Sequence, residues 1–268
     1  EVLQKEGYRT FGTVKWHNGI ESYARGFTDG AEIFFGGMWD HWNVPANNFD
    51  PTGQYEKAAN FISDFYYDNH PVELTCDHTT PGVHSTDLFT DATLVFLDNY
   101  SSDSPWFAYV SYMAPHDPRS MPKEFLDLYS PSDIELPPNF SPEHAFEFGI
   151  RSLRDEVLEE YPRTMEKIKT HIAEYYAMIS HLDSGIGKII NKLKENGNYE
   201  NTIIIFAGDN GLSIGQHGLM GKQNNYEHSV RVPLIFSGPG IPKNSQSDEY
   251  VFLMDIFPTI LDLVGCET

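Results

Sequence analysis

The chain has 268 residues, enough for one large α/β domain or two small ones, and 40% of them are hydrophobic, so a sizeable core is available. Lys plus Arg number 18 against 39 Asp plus Glu, a formal charge of −21 that repels nucleic acid and anionic membranes, so an anionic substrate would need a local cationic pocket. Two cysteines, Cys76 and Cys266, make neither a disulfide framework nor a zinc cluster; no apolar run approaches a membrane span, and no signal peptide is visible.

Residues 1–8 read as the last turns of a helix ended by Gly7, so the chain is expected to begin inside a domain. Tyr8 to His17 favours extended structure. Lys15 and His17 are two apart and on a strand would point the same way. A cation beside a titratable imidazole can bind an oxyanion and move a proton, although a surface lysine and a half-buried histidine give the same pattern. Ile20 to Asp50 is rich in Gly, Phe and Trp without a steady period and reads as a long ordered loop with short elements, in which His41 could be a ligand or substrate contact but reads better as a histidine packed among Trp39 and Trp42. Phe49 to Asn69 is read as an insertion or hairpin, and Cys76 as a structural thiol. Ser85 or Thr86 can cap a helix running to about Tyr100, with Leu88, Ala92, Val95, Phe96 and Asn99 on one face. Trp106 to Met113 is a continuous apolar run, expected to be a buried strand. It ends at Ala114-Pro115-His116-Asp117-Pro118, where the prolines hold His116 in a rigid loop.

Ser120 to Pro162 carries many prolines and charges, with a short acidic helix expected within Glu143 to Tyr161 as solvated surface. Thr164 to Asn196 is the clearest helix: Ile168, Ile172, Ile179, Leu182, Ile186 and Leu193 recur at helical spacing as a core stripe, and Asp183 on it could be functional but better suits a cap or salt bridge. Asn201 to Ala207 reads as a buried strand opening into Gly208-Asp209-Asn210-Gly211. Gly211, Gly215, Gly218 and Gly221 follow, too many for a helix interior. Ligands bind where strands of open α/β sheets run out. Asp209 and Asn210 offer hard oxygens suited to Ca²⁺ or Mg²⁺, though Asp-Asn-Gly is also an ordinary turn sequence. Lys222 adds a point positive charge. Val230 to Phe236 reads as a third strand, and Asp255 to Val264 as a helix with Ile256, Phe257, Ile260, Leu261 and Val264 inward. The alternation of strands and helices points to an α/β domain.

Taken together these stretches resemble the sulfatase family of the alkaline-phosphatase superfamily. Gly7-Tyr8-Arg9-Thr10 leading to Lys15-Trp16-His17 is similar to its GY.T…GKWH element, with Val14 where the family usually has glycine. Ala114-Pro115-His116, Asp183 to Gly187, Thr202 to Gly211, His217 to Lys222, Arg231 to Leu234 and Asp255 to Thr259 follow the family's order. Its nucleophile motif, C/S-x-P-x-R, and its early Asp-Asp pair do not occur in these residues, so the chain is expected to start after them and to stop before the family's small C-terminal subdomain.

The resemblance implies an alkaline-phosphatase-like fold, a central mixed and mostly parallel sheet flanked by helices, with residues 1–268 as a single partial catalytic domain. It implies sulfate-ester hydrolysis by a formylglycine supplied from the missing upstream segment, and a periplasmic or extracellular setting. Carried over, Asp209 and Asn210 would bind Ca²⁺ (Mg²⁺ being the other hard ion); Lys15 and Lys222 would hold sulfate oxygens; His116 would protonate the leaving oxygen; His17 would take the proton that lets sulfate depart; His217 would contact substrate. The expected partner is a sulfated small molecule or glycan, with no nucleic acid and no membrane span. A phosphate or phosphonate hydrolase of the same superfamily, and a non-catalytic glycan-binding remnant, are the alternatives.

Overall fold

In the computed structural model, which describes residues 1–55, 60–64 and 70–266, the strands in chain order are β1 (Arg9–Val14), β2 (Asp29–Gly30), β3 (Pro45–Ala46), β4 (Asn60–Asp64), β5 (His70–Leu74), β6 (His78–Thr79), β7 (Trp106–Ser111), β8 (Ile204–Ala207) and β9 (Leu234–Ser237). The helices are α1 (Val2–Lys5), α2 (Ile20–Gly26), α3 (Ser85–Asn99), α4 (Lys123–Leu126), α5 (Met165–Glu195), α6 (Glu227–Val230) and α7 (Ile256–Leu263). They fall into two compact units, one of Glu1–Pro122, Met178–Tyr199 and Ile256–Thr268, the other of Lys123–Ala177 and Glu200–Asp255.

The first unit is built on a parallel sheet in the order β2-β1-β7, with Arg9 opposite Trp106 and Val14 opposite Ser111. Gly12 in the middle of β1 has a packing reason: a Cβ there would lie 2.6 Å from the Tyr23 hydroxyl, which donates to the Gly12 carbonyl at 2.7 Å. Tyr23 thereby locks α2 onto the sheet, with Val14, Phe27 and Ile33 completing that part of the core. The expected loop from Ile20 to Asp50 thus contains a regular helix, α2. Between Phe49 and Asn69 the hairpin expectation is met only in part: β4 pairs antiparallel with β5, while residues 56–59 and 65–69 lie outside the described residues. Cys76 is buried and donates to the His78 carbonyl, and burial raises its thiol pKa, as suits a structural thiol.

The cap of α3 is neither Ser85 nor Thr86. His84 precedes the helix in extended conformation, and its Nδ1 accepts the Thr86 N–H at 3.1 Å. Its Nε2–H donates to the Ser120 carbonyl at 2.9 Å, so both ring nitrogens are used by the neutral form. The ring stacks on His41 at 5.0 Å and meets His181, from α5, at 4.7 Å. Burial, with the neighbouring His41 and His181, lowers its pKa to about 3. His181 Nε2 in turn bonds Asp87 of α3 at 3.1 Å. The unfolded chain binds a proton on His84 near the ordinary value of 6.5 while the folded one resists it. Stability from this site is therefore complete above about pH 6.5 and declines as pH falls toward 3. His84→Asn, which keeps a capping side chain, is expected to flatten the loss of urea stability between neutral and mildly acidic pH; an unchanged slope would show that His84 titrates normally.

The second unit holds the antiparallel pair β8–β9, with Ile204 opposite Ser237 and Ala207 opposite Leu234. Its core gathers Ile134, Ile168, Ile172, Ala173, Ile214 and Met220. The expected stripe on α5 is core at Ile168, Ile172 and Leu193, but Ile179 is 40% exposed. Asp183 lies in the interior of α5, exposed, where no cap is needed. Two strand expectations are corrected in burial rather than position. β7 leaves Tyr109 43% exposed and β8 leaves Phe206 38% exposed, because apolar composition selects strand but not what covers each face. Phe257 of α7 is likewise 58% exposed, although Leu261 is buried. The segment expected as a solvated acidic helix is a 3₁₀ turn, Arg154–Leu158, with Asp155 and Glu156 both buried. The strand expected to begin at Val230 begins at Leu234, Val230 closing α6 instead.

Candidate active site

Three of the predicted residues lie in the first unit. Because β1 and β7 run parallel and in register, both end at the same carboxyl edge, and the segments that follow them start side by side. The Lys15 N–H bonds the Ser111 carbonyl at 2.8 Å, and Lys15 forms an isolated bridge with Phe34. The strand stops at Val14, so Lys15 and His17 are not grouped by strand alternation. They are set instead by Trp16 between them. Its ring packs edge-on against Tyr23 and Phe27, each at 5.6 Å, and its Nε1–H donates to the Gly19 carbonyl at 2.9 Å. Lys15 is half-buried and His17 exposed. The His17 ring occupies space that Gly37 leaves open, since a Cβ there would lie 3.0 Å from its Cε1.

His116 follows β7 in a half-buried loop whose flanking bonds, Ala114–Pro115 and Asp117–Pro118, are both cis. Its N–H bonds the Met113 carbonyl at 3.0 Å, and its Nδ1–H donates to the Asp117 carbonyl at 3.1 Å. That assignment makes Nε2 the nitrogen through which the ring gains or loses a proton. Asp117 is paired with Arg119 at 3.3 Å, both nearly buried. His41 does more than fill space. It is fully buried, accepts the Ser85 hydroxyl on Nδ1 at 2.6 Å and donates Nε2–H to the His116 carbonyl at 2.9 Å. Burial lowers its pKa, and the Lys15 charge acts in the same direction. His41 is thus a neutral donor that fixes the His116 backbone, a role its place between two tryptophans did not reveal.

The other four predicted residues lie in the second unit. β8 ends at Ala207, and the Gly208 N–H still bonds the Pro233 carbonyl at 3.1 Å. Asp209 and Asn210 follow, both exposed, with Asp209 Oδ1 accepting the Asn210 N–H at 2.9 Å. Gly211 is required: a Cβ there would lie 1.8 Å from the His228 carbonyl oxygen. Two adjacent hard oxygens at a strand end fit part of the shell of a hard cation. Among the described residues no group of three or more His, Cys, Asp or Glu is placed to hold a metal.

His217 takes a left-handed backbone, φ 54°, and stacks on Tyr226 at 4.1 Å. Asn139 donates its amide N–H to His217 Nε2 at 3.0 Å, which makes Nδ1 the ring's donor. Tyr226, unnoticed in the sequence, donates its hydroxyl hydrogen to His144 Nε2 at 2.9 Å and so is held on both sides. Lys222 is half-buried. Burial would raise the pKa of nearby Asp155, but hydrogen bonds from Gln223 and Arg154 and the charges of Arg154 and Lys222 hold it below the usual carboxylate range. The chemistry available is therefore cationic and proton-transferring in the first unit, and cationic with hard oxygen donors in the second. No helix among the described residues is long and apolar enough to cross a membrane.

A sequence model of the sulfatase family matches residues 1–266. The chain is similar to an N-acetylglucosamine-6-O-sulfatase of Bacteroides thetaiotaomicron, 24% identical over 100% of this chain and 53% of that one. Its fold matches a solved structure of a protein in complex with its substrate D-glucosamine-2-N,6-O-disulfate, at a TM-score of 0.68, 22% identity and coverage of 100% of this chain and 60% of the other. It is also similar to the phosphonate monoester hydrolase of Agrobacterium radiobacter, at a TM-score of 0.59 and 28% identity over 68% of this chain and 39% of that one. The first curated relatives are spanned over 34% to 57% of their own length. The architecture is the alkaline-phosphatase-like α/β fold, a parallel sheet flanked by helices. With the Lys-Trp-His and Pro-His elements at one sheet edge and the match running through nearly every residue, the chain belongs to the sulfatase family.

Proposed function

We propose that the protein containing these residues hydrolyses sulfate esters of a carbohydrate, with an aryl sulfate as the simpler substrate of the same site. The observation that carries this reading is the shared carboxyl edge of β1 and β7. It sets an ammonium group, an exposed imidazole and a loop-held imidazole in neighbouring segments. In this reading Lys15 and Lys222 are the ammonium groups that meet the charge developing on the sulfuryl oxygens. His116, with Nδ1 committed to the Asp117 carbonyl, gives the Nε2 proton to the departing oxygen. His17 accepts the proton that lets sulfate leave, and His217 offers Nδ1–H to the substrate. In this reading a formylglycine from outside these residues would supply the nucleophile, and Asp209 and Asn210 would hold Ca²⁺ (Mg²⁺ being the other hard ion), which would supply further positive charge. The setting that fits a polymeric sulfated glycan is periplasmic or extracellular.

The likeness to a phosphonate monoester hydrolase favours a second reading, phosphoryl or phosphonyl ester hydrolysis, since lysines and a hard cation suit either oxyanion. The test is release of sulfate by the full-length protein from sulfated sugars and aryl sulfates, run beside phosphate and phosphonate esters. Sulfate release is expected to dominate, and turnover of phosphorus esters alone would overturn the proposal. Residues 1–268 alone are expected to show no turnover and weak calorimetric Ca²⁺ binding. Asp209 and Asn210 are two ligands where Ca²⁺ takes about six to eight.

A further inference from the structure

The loop that carries Lys222 has no regular structure of its own. It closes on itself through Ser213 N–H to the Gly221 carbonyl at 3.0 Å and Gly215 N–H to the Leu219 carbonyl at 2.8 Å. Among the segments that hold it from outside is the 3₁₀ turn Arg154–Leu158. Glu156 is fully buried and accepts the Met220 N–H at 3.0 Å and the Gly221 N–H at 2.9 Å, together with the Tyr161 hydroxyl at 3.0 Å. Arg163, also buried, donates Nη2–H to Glu156 at 2.8 Å and Nε–H to the Gly218 carbonyl at 3.3 Å. Asp155, 3% exposed, accepts the Gln223 side-chain N–H at 2.9 Å, and the side-chain Oε1 of Gln223 accepts the Lys222 N–H at 3.2 Å. Three successive backbone N–H groups, of 220, 221 and 222, thus end on acceptors set by two adjacent carboxylates. Burying two carboxylates is costly, and packing alone would be served better by apolar side chains of that size.

We infer that Asp155 and Glu156 are positioning residues that fix the backbone on both sides of Lys222, so that its ammonium group is presented to the substrate oxyanion at one place. The inference rests on the proposed role of Lys222. Glu156 grips the loop before Lys222. Asp155, through Gln223, grips it after. The lysine side chain itself stays half-exposed and available. Displacing a charge-stabilising group by about an ångström costs on the order of a hundredfold in rate, which is the scale such positioning protects.

The test uses the full-length protein and a sulfated sugar, with inorganic sulfate as a competitive inhibitor. Asp155→Ala is expected to lower kcat/KM by about ten- to a hundredfold and to weaken sulfate inhibition, while Asp155→Asn, which can still accept from Gln223, restores most of both. Adding Asp155→Ala to Lys222→Ala is expected to cost nothing further, because the residue acts through that lysine. Should Asp155→Ala fail to fold, Gln223→Ala removes the same link from an exposed side chain and is expected to cost several-fold. Wild-type rates in Asp155→Ala and Gln223→Ala beside a slow Lys222→Ala would overturn the inference alone. So would losses that multiply in the double variant. A fully active Lys222→Ala, or a wild-type protein that neither binds nor turns over sulfate, would remove the lysine's role and the inference with it.

Discussion

His116→Ala is expected to slow turnover of a sulfated sugar by ~10²–10⁴-fold in the full-length protein, the usual scale for loss of a general acid, and to slow a nitrophenyl sulfate far less. A sugar alkoxide is a poor leaving group and needs a proton in the transition state; an activated phenolate hardly does. The local structure supports the assignment of the proton. Nδ1–H is held by the Asp117 carbonyl, and the backbone is held by His41 at the His116 carbonyl. Lys222→Ala removes charge stabilisation of the sulfuryl group and should slow both substrates more evenly. Steady-state rates on the two substrates decide the matter. Equal losses on both from His116→Ala would make His116 a sulfate-binding or structural residue.

Arg163→Met is expected to produce the largest loss of stability, roughly 3–5 kcal/mol by urea denaturation. Its guanidinium group lies 2.8 Å from Glu156 Oε2, with both side chains fully buried, and 3.7 Å above the Tyr161 ring. Removing the cation leaves the Glu156 carboxylate without its charge partner, although the amides of Met220 and Gly221 and the Tyr161 hydroxyl still donate to it. Hydrogen bonds alone replace only part of the hydration that the carboxylate gave up. Arg163→Met combined with Glu156→Gln should therefore be more stable than Arg163→Met alone, since the stranded charge is gone. A single-variant loss below about 1 kcal/mol, the range of exposed pairs, would show that the pair is solvated.

Local pattern determined where the main elements of this protein lie. The β-branched and aromatic residues of Arg9–Val14, Trp106–Ser111 and Ile204–Ala207 select strand, and the apolar spacing along Met165–Glu195 selects helix. The ordered motifs Lys15-Trp16-His17, Pro115-His116 and Asp209-Asn210 carry the resemblance to the family, and each follows a strand within a few residues, a local property of the chain. Burial and partnership were decided only by tertiary structure. Nothing near Glu156 in sequence announces that its carboxylate receives amides from Met220 and Gly221, 64 and 65 residues away. The acidic stretch around it read as solvated surface because charge usually is. His41 read as packing because its two hydrogen bonds reach Ser85 and His116, 44 and 75 residues on. The apolar runs of β7 and β8 were expected to be buried, yet each leaves an aromatic ring exposed. Strand formation depends on neighbours in the chain, whereas the cover over a strand and the partner of a charge come from segments distant in sequence, whose approach no local pattern encodes.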